Sequence, residues 1–350
     1  LITFKANGKV DFMKKVLVTG VSGYVGQHCA AALLKAGYAV RGSLRNLTKA
    51  DDVTAGIKKE VDPKGNLEFC ALNLLADEGW DKAMEGCDYV LHAASPFIMK
   101  APKDENELIK PAVEGTQRAL NAAKRAGVKR IVITSSIVAM LGDINGSMNL
   151  NQNSWTNVKA KHATAYLKSK TLAEKSAWEF IENQEGDEKL ELVVINPGPI
   201  YGPTLTGNLS GESMTMYAKM IKGQVPMLPR GSVNFSDVRD VASIHVQALE
   251  NSEANGQRFI VTTEKPYTFQ KMALILKSNG YDKVSTKLAP NLLLKILANF
   301  NDELKGLMPF LGHMINADVS PTMKTFNWKP IPIEKMVLDT AESVQKIIKD

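Results

Sequence analysis

The chain is poor in cysteine, with Cys29, Cys70 and Cys87 forming no C-x-x-C pair and no even framework. That excludes a disulfide scaffold and points to a reducing compartment. It has no apolar stretch of about 18 residues, so nothing is expected to span a membrane, and Leu1 to Phe12 is too polar for a signal peptide. It lacks any run of like charges and any basic stripe interleaved with aromatics, although the net charge is +6. Nucleic acid is therefore not an expected partner; the scattered lysines read as solvated surface that would also suit an anionic ligand. His28, His92, His162, His245 and His313 are dispersed without ligand spacing, so no metal site is expected and each reads as structural or exposed. With 350 residues, 44% hydrophobic and 23% charged, the chain is long enough for a large domain plus a smaller one, and a cytoplasmic protein fits best. Because it opens on Leu and its first strand follows Met13, residues 1–12 are expected to be an unstructured N-terminal extension.

What the chain does have is Lys15 to Gly26, KVLVTGVSGYVG. Val16, Leu17 and Val18 form the continuous apolar run of a parallel strand buried on both faces, and a helix is expected from Gly26 to Ala36. Gly20 permits a tight turn, Gly23 lets backbone approach a pyrophosphate, and Gly26 lets helix pack close to strand. N–H groups at the helix start would hold phosphates. The turn departs from G-x-G-x-x-G by one extra residue between its first two glycines.

After Gly37 closes that helix, Ala39 to Leu44 reads as the second strand, and the stretch VRGSLRNLTK at its end carries Arg41, Arg45 and Lys49 with no carboxylate. An acid there would bond ribose hydroxyls; cations suit a 2′-phosphate, so NADP(H) is expected over NAD(H). Arginines on a solvated strand end are the alternative. Leu67 to Leu74, Asp88 to Ala94 and Arg130 to Ser136 read as the next strands, with a long helix over Asn106 to Ala126. The alternation implies an α/β fold around a doubly wound parallel sheet, whose ligands sit at the carboxyl ends of the strands. Ala93 and Ala94 lie at such an end, leaving room for a cofactor or packing tightly. Helical spacing from His162 to Glu179 puts Tyr166 and Lys170 four apart on one face.

With TGVSGYVG, VLHAASPF, RIVITSS and YLKSK in this order, the sequence resembles the extended short-chain dehydrogenase/reductases, in particular the branch of dihydroflavonol and cinnamoyl-CoA reductases with microbial aldehyde and ketone reductases. KDENELIKPAVEG, SKTLAEKSAWEF, INPGPIYGP, SDVRDVASIH and GQRFIV extend the resemblance nearly to the C-terminus. It implies a Rossmann-type sheet over residues 13–198 and 232–263, and a smaller, discontinuous C-terminal substrate domain over 199–231 and 264–350. It implies a catalytic triad of Ser136, Tyr166 and Lys170, with Ser135 the less favoured serine. Carried over by position, the cofactor residues are Thr19, Gly20, Gly23, Tyr24, Val25 and Gly26 at the turn, and Arg41, Arg45 and Lys49 at the 2′-phosphate. Asn73 stands where many members have an acid holding the adenine, followed by Leu74; Ala93, Ala94, Ser95 and Thr134 join them, with Tyr166 and Lys170, and Pro197, Gly198 and Ile200 flank the nicotinamide.

Pro96, Phe97, Trp155 and Tyr217 are candidate substrate walls beside Ser136, while Met214, Met216, Met220 and Met227 read more as core than as pocket lining. Asp237 and Asp240 read as turn and cap residues. The expected activity is reduction of a small-molecule carbonyl by NADPH, and a homodimer is compatible with it. Nucleotide-sugar epimerisation or dehydration is disfavoured by Ala112 in AVEGT, where epimerases read N-V-x-G-T. Hydroxysteroid oxidation remains open because the chemistry is reversible. The intact triad argues against an NADP sensor without turnover.

Overall fold

Short aliphatic runs alternate with amphipathic helices from Lys15 onward, and each run enters one sheet. The structure, a computed structural model, describes residues 2–4, 10–95, 104–161, 163–207, 209, 211–298 and 311–349. Ile2–Phe4 (β1) pairs antiparallel with Val10–Phe12 (β2), so backbone order begins before Met13, where an unstructured extension was expected. The strands that follow are β3 (Lys15–Thr19), β4 (Ala39–Leu44), β5 (Leu67–Ala71), β6 (Tyr89–His92), β7 (Arg130–Thr134), β8 (Ser147–Leu150) and β9 (Glu191–Pro197). Then come β10 (Ile200–Tyr201), β11 (Ser232–Val233), β12 (Ser236–Asp237), β13 (Arg258–Val261), β14 (Tyr267–Thr268) and β15 (Met314–Ala317). The helices that cover them are α1 (Tyr24–Lys35), α2 (Ala50–Lys58), α3 (Trp80–Met84), α4 (Asn106–Arg125), α5 (Ala165–Glu182) and α6 (Glu212–Ile221). They are followed by α7 (Val238–Gln247), α8 (Phe269–Ser278), α9 (Asn291–Leu297), α10 (Ser320–Phe326) and α11 (Ile333–Lys349).

Seven parallel strands make the main sheet in the order β13-β9-β7-β6-β3-β4-β5. The chain starts at β3, builds outward to β5, then crosses back to β6 on the other side of β3. The order therefore reverses between β3 and β6, and a crevice opens beyond their carboxyl ends. Alternation puts Val16 and Val18 against α1 and α7, and Leu17 against α3, α4 and α5, so both faces are dry. β5, β6 and β7 stop two or three residues short of the ends expected from sequence. Just beyond those ends Leu72 and Ser135 still donate to the Leu44 and Ile195 carbonyls, and Leu74, Ala94, Ser95 and Ser135 line the crevice.

The smaller sheet runs β14-β11-β15-β8 and is mixed. β8 lies inside the stretch 13–198 read as the first domain, yet it pairs with β15 of the stretch 264–350. Residues 202–206 run between α1 and α11. Tyr24 donates to the Gly202 carbonyl at 2.7 Å, while the Gly202 and Thr204 amides donate to Thr340 and Ser343.

Candidate active site

The glycine turn joins β3 to α1 at the reversal point. Gly20 has φ +68°, and a Cβ there would sit 2.9 Å from the Ala94 Cα; at Gly26 it would sit 2.4 Å from the Gly20 carbonyl oxygen. A side chain at either position would fill the cradle. Gly23 is the N-cap of α1 and supplies no side-chain cap, so the first N–H groups of the helix are not consumed by one. That open end, flanked by Ala93 and Ala94, matches the chemistry of a diphosphate, and a dinucleotide fits these residues. Thr19 ties the turn to β6: its Oγ accepts from the Ala94 amide at 3.1 Å and lies 3.0 Å from His92 Nδ1.

One turn of α5 separates Tyr166 from Lys170, and the Thr164 N-cap starts that helix by accepting from the Leu167 amide. Lys170 lines a cleft with Leu74, His92, Ala94, Ser95, Thr134 and Ser135, whereas Tyr166 is 38% exposed. Burial pushes the Lys170 ammonium down to about 8, opposed by Glu174. Ser136, just past β7, donates to the Pro197 carbonyl and accepts from the Val138 amide, both at 3.3 Å. Those are long for a hydroxyl, so its Oγ can turn to a better partner. Ser135 donates to Glu174 at 2.5 Å and is buried. The Thr134 hydroxyl is taken up by His245 of α7 at 2.7 Å. Gly198 donates its amide to the Ser236 hydroxyl, and Ile200 of β10 pairs with Ser236 of β12.

Several sequence expectations move. Arg41 lies early in β4, and its guanidinium binds Glu68 at 2.7 Å and the carbonyls of Ala83 and Glu85 at 3.0 and 2.7 Å. It caps the carbonyl end of α3, where the helix dipole favours a cation, and is not directed at a 2′-phosphate. Arg45 and Lys49 lie exposed beyond the end of β4. Asn73 spends its side-chain oxygen on the Leu75 amide in a local turn. Tyr217 is fully buried, donates to the Val337 carbonyl and stacks near Tyr201, so it belongs to the core and not to a substrate wall. Trp155 carries the Arg258 guanidinium 3.8 Å above its ring, a platform rather than a pocket surface. Met214 and Met220 are core; Met227 packs on a small cluster with Leu294. Asp237 caps α7, and Asp240 accepts from Trp328 and the Ile331 amide. Pro96, Phe97 and His162 lie outside the described residues.

Residues 16–262 match the NAD dependent epimerase/dehydratase family. The chain belongs to this family. Cinnamoyl-CoA reductase CAD2 of Medicago truncatula is 34% identical over 261 residues, covering 72% of this chain and 77% of that protein. NADPH-dependent methylglyoxal reductase GRE2 of Saccharomyces cerevisiae is 31% identical over 284 residues, covering 75% and 82%. The crystal structure of yeast methylglyoxal/isovaleraldehyde reductase Gre2 complexed with NADPH superposes with a TM-score of 0.77 at 27% identity, over 96% of this chain and 99% of that one.

This epimerase/dehydratase-family cleft also holds two groups that sequence reasoning passed over. His92 lines it, and Glu174 lies one turn beyond Lys170. The spacing Tyr166, Lys170, Glu174, each four apart on one helical face, was the available signal. Among the described residues no three His, Cys, Asp or Glu gather as metal ligands, and no helix is long and apolar enough to cross a membrane.

Burial pushes His28, His92 and His245 each down from 6.5 to about 4. The unfolded chain therefore binds more protons than the native one between those limits. The histidines' contribution is complete above pH 6.5 and is lost as pH falls toward 4. Buried Asp240, raised to about 6, acts with the opposite sign and offsets roughly one histidine. Urea denaturation should show a net loss of about 4 kcal/mol between pH 7 and pH 5. Equal stability at both would contradict neutral buried histidines.

Proposed function

We propose that the protein is an NADP(H)-dependent carbonyl reductase acting on small aldehydes or ketones. The observation that carries this reading is the delivery of Lys170 by α5 into the cleft at the β3/β6 reversal, beside the end of β7 with its serines. Carbonyl reduction needs a hydride at carbon and a proton at oxygen; the dinucleotide, when bound, supplies the hydride.

The chain supplies the rest. Tyr166 gives its phenolic proton to the carbonyl oxygen as charge develops there. An ordinary phenol, of pKa about 10, is a weak acid near neutrality, so it needs a neighbouring cation to stabilise the phenolate. Lys170, one turn away, is that cation. Ser136 Oγ donates to the same carbonyl oxygen and orients it. Gly20, Gly23 and the start of α1 receive the diphosphate, while Arg45 and Lys49 receive the 2′-phosphate. The relatives named for NADPH support this choice of cofactor.

The test is NADPH consumption across aromatic aldehydes, aliphatic aldehydes, diketones and flavanonols, with NADH in parallel. Turnover with NADPH is expected; tight NADPH binding with no turnover on any carbonyl would overturn the reading. The double variant Arg45→Ala/Lys49→Ala should raise KM for NADPH about tenfold or more and leave KM for NADH unchanged, as expected for lost charge-assisted bonds. Arg41→Ala should destabilise the fold without altering cofactor preference; the reverse pattern would return Arg41 to the 2′-phosphate.

A further inference from the structure

Glu174 is 2% exposed, and its two carboxylate oxygens meet four donors. Oε2 accepts from Ser135 Oγ at 2.5 Å and Asn196 Nδ2 at 2.9 Å. Oε1 accepts from Arg258 Nε at 2.5 Å and, within α5, from Trp178 Nε1 at 3.4 Å. Asn196 also donates to the Ser136 carbonyl at 3.2 Å, and Arg258 donates to the carbonyls of Gln152 and Ser154 at 2.9 and 2.6 Å. One carboxylate thus connects the turn after β7, the end of β9 and the start of β13 to the helix that bears Tyr166 and Lys170. A buried ion pair is weak evidence for stability, because apolar residues of the same volume serve as well or better. Stability alone does not account for this one.

We propose that Glu174 is a positioning residue for the Tyr166 and Lys170 pair: it holds the Ser135–Ser136 turn against α5, and its carboxylate is the counter-charge of the Lys170 ammonium. The titratable groups facing Lys170 are His92 from β6 and Glu174 from its own helix; Arg258 from β13 and Lys170 face Glu174. His92 is neutral at working pH, which leaves Glu174 as the anion acting on the amine among the described residues. Removing that anion disfavours the protonated amine, so Lys170 must lose its proton at lower pH.

The inference rests on the carbonyl-reductase reading only for its kinetic consequence, and the experiment separates the two. In cofactor-free protein labelled with 13C,15N-lysine, the Lys170 resonance is assigned by its loss in Lys170→Arg and followed with pH. Glu174→Gln is expected to lower its midpoint by about one unit or more, while Ser135→Ala, which removes a bond and keeps the charge, leaves it in place. The alkaline limb of kcat should move with it. If Glu174→Gln does not fold, Glu174→Gln/Arg258→Met takes its place and its Lys170 midpoint is compared with that of Arg258→Met, so that loss of the guanidinium charge is common to both. An unmoved Lys170 midpoint overturns the proposal, however much turnover falls. Absence of carbonyl turnover in the wild type overturns the enzymatic reading, and the lysine titration still decides the counter-charge.

Discussion

Tyr166→Phe is expected to lose about a thousandfold or more in kcat for carbonyl reduction and to bind NADPH as tightly as the wild type, within about twofold. The substitution keeps the ring and deletes one oxygen, so α5 retains its packing and Lys170 its place. With the phenol gone, the carbonyl oxygen has no positioned acid, and Ser136, a far weaker acid, can only donate a hydrogen bond. Single-turnover reduction, followed by loss of NADPH absorbance, reads the chemical step; NADPH fluorescence reads binding. Near-wild-type turnover would remove Tyr166 from the mechanism. A matched loss of binding would instead show that Tyr166 builds the cofactor site.

Gly26→Ala should abolish tight cofactor binding and destabilise the fold by about 3 kcal/mol. In an ordinary helix the same change stabilises by up to about 1 kcal/mol, because alanine is the better helix former. Here the added carbon would meet the Gly20 carbonyl oxygen at 2.4 Å and the Val21 Cα at 3.0 Å. Both are backbone atoms, so no rotamer relieves the clash and α1 must lift from β3. The lift displaces the first N–H groups of α1, which are the groups that would face a diphosphate. Gly23 has ordinary extended angles and one neighbour at 3.1 Å, so Gly23→Ala is far milder for the fold. Denaturant titration and NADPH fluorescence check both variants; a Gly26→Ala protein with unchanged stability and affinity would refute the close-packing argument.

The main sheet was legible because strands buried on both faces read as unbroken aliphatic runs, as Val16 to Val18 and Ile131 to Ile133 do. Their carboxyl ends were less legible: Leu72, Ala93 and Ser135 continue an apolar or small-residue pattern after the ladder has ended. Counting residues from the glycine turn made Arg41 look like Arg45, since sequence distance carries no direction. Only the pairing of β4 with β5 reveals that Arg41 faces Glu68 and the end of α3. Tyr217 misled because an aromatic residue in a sequence does not show whether it faces a core or a cleft. Glu174 stayed hidden because its partner Arg258 is 84 residues away, and a carboxylate on a polar helix reads as solvated until that partner appears.

The stretch 202–206 acts as a seam between the two halves of the molecule. Besides the bonds of Gly202 and Thr204, Gln27 reaches the Thr206 hydroxyl, His28 lies 2.9 Å from the Pro203 carbonyl, and Lys59 reaches the Leu205 carbonyl. Stitches from α1 and α2 on one side and α11 on the other leave this connection unable to swing as a hinge. Any widening of the cleft must therefore arise within the elements beyond this seam, and a dinucleotide that steadies α1 would pass its rigidity directly to α11.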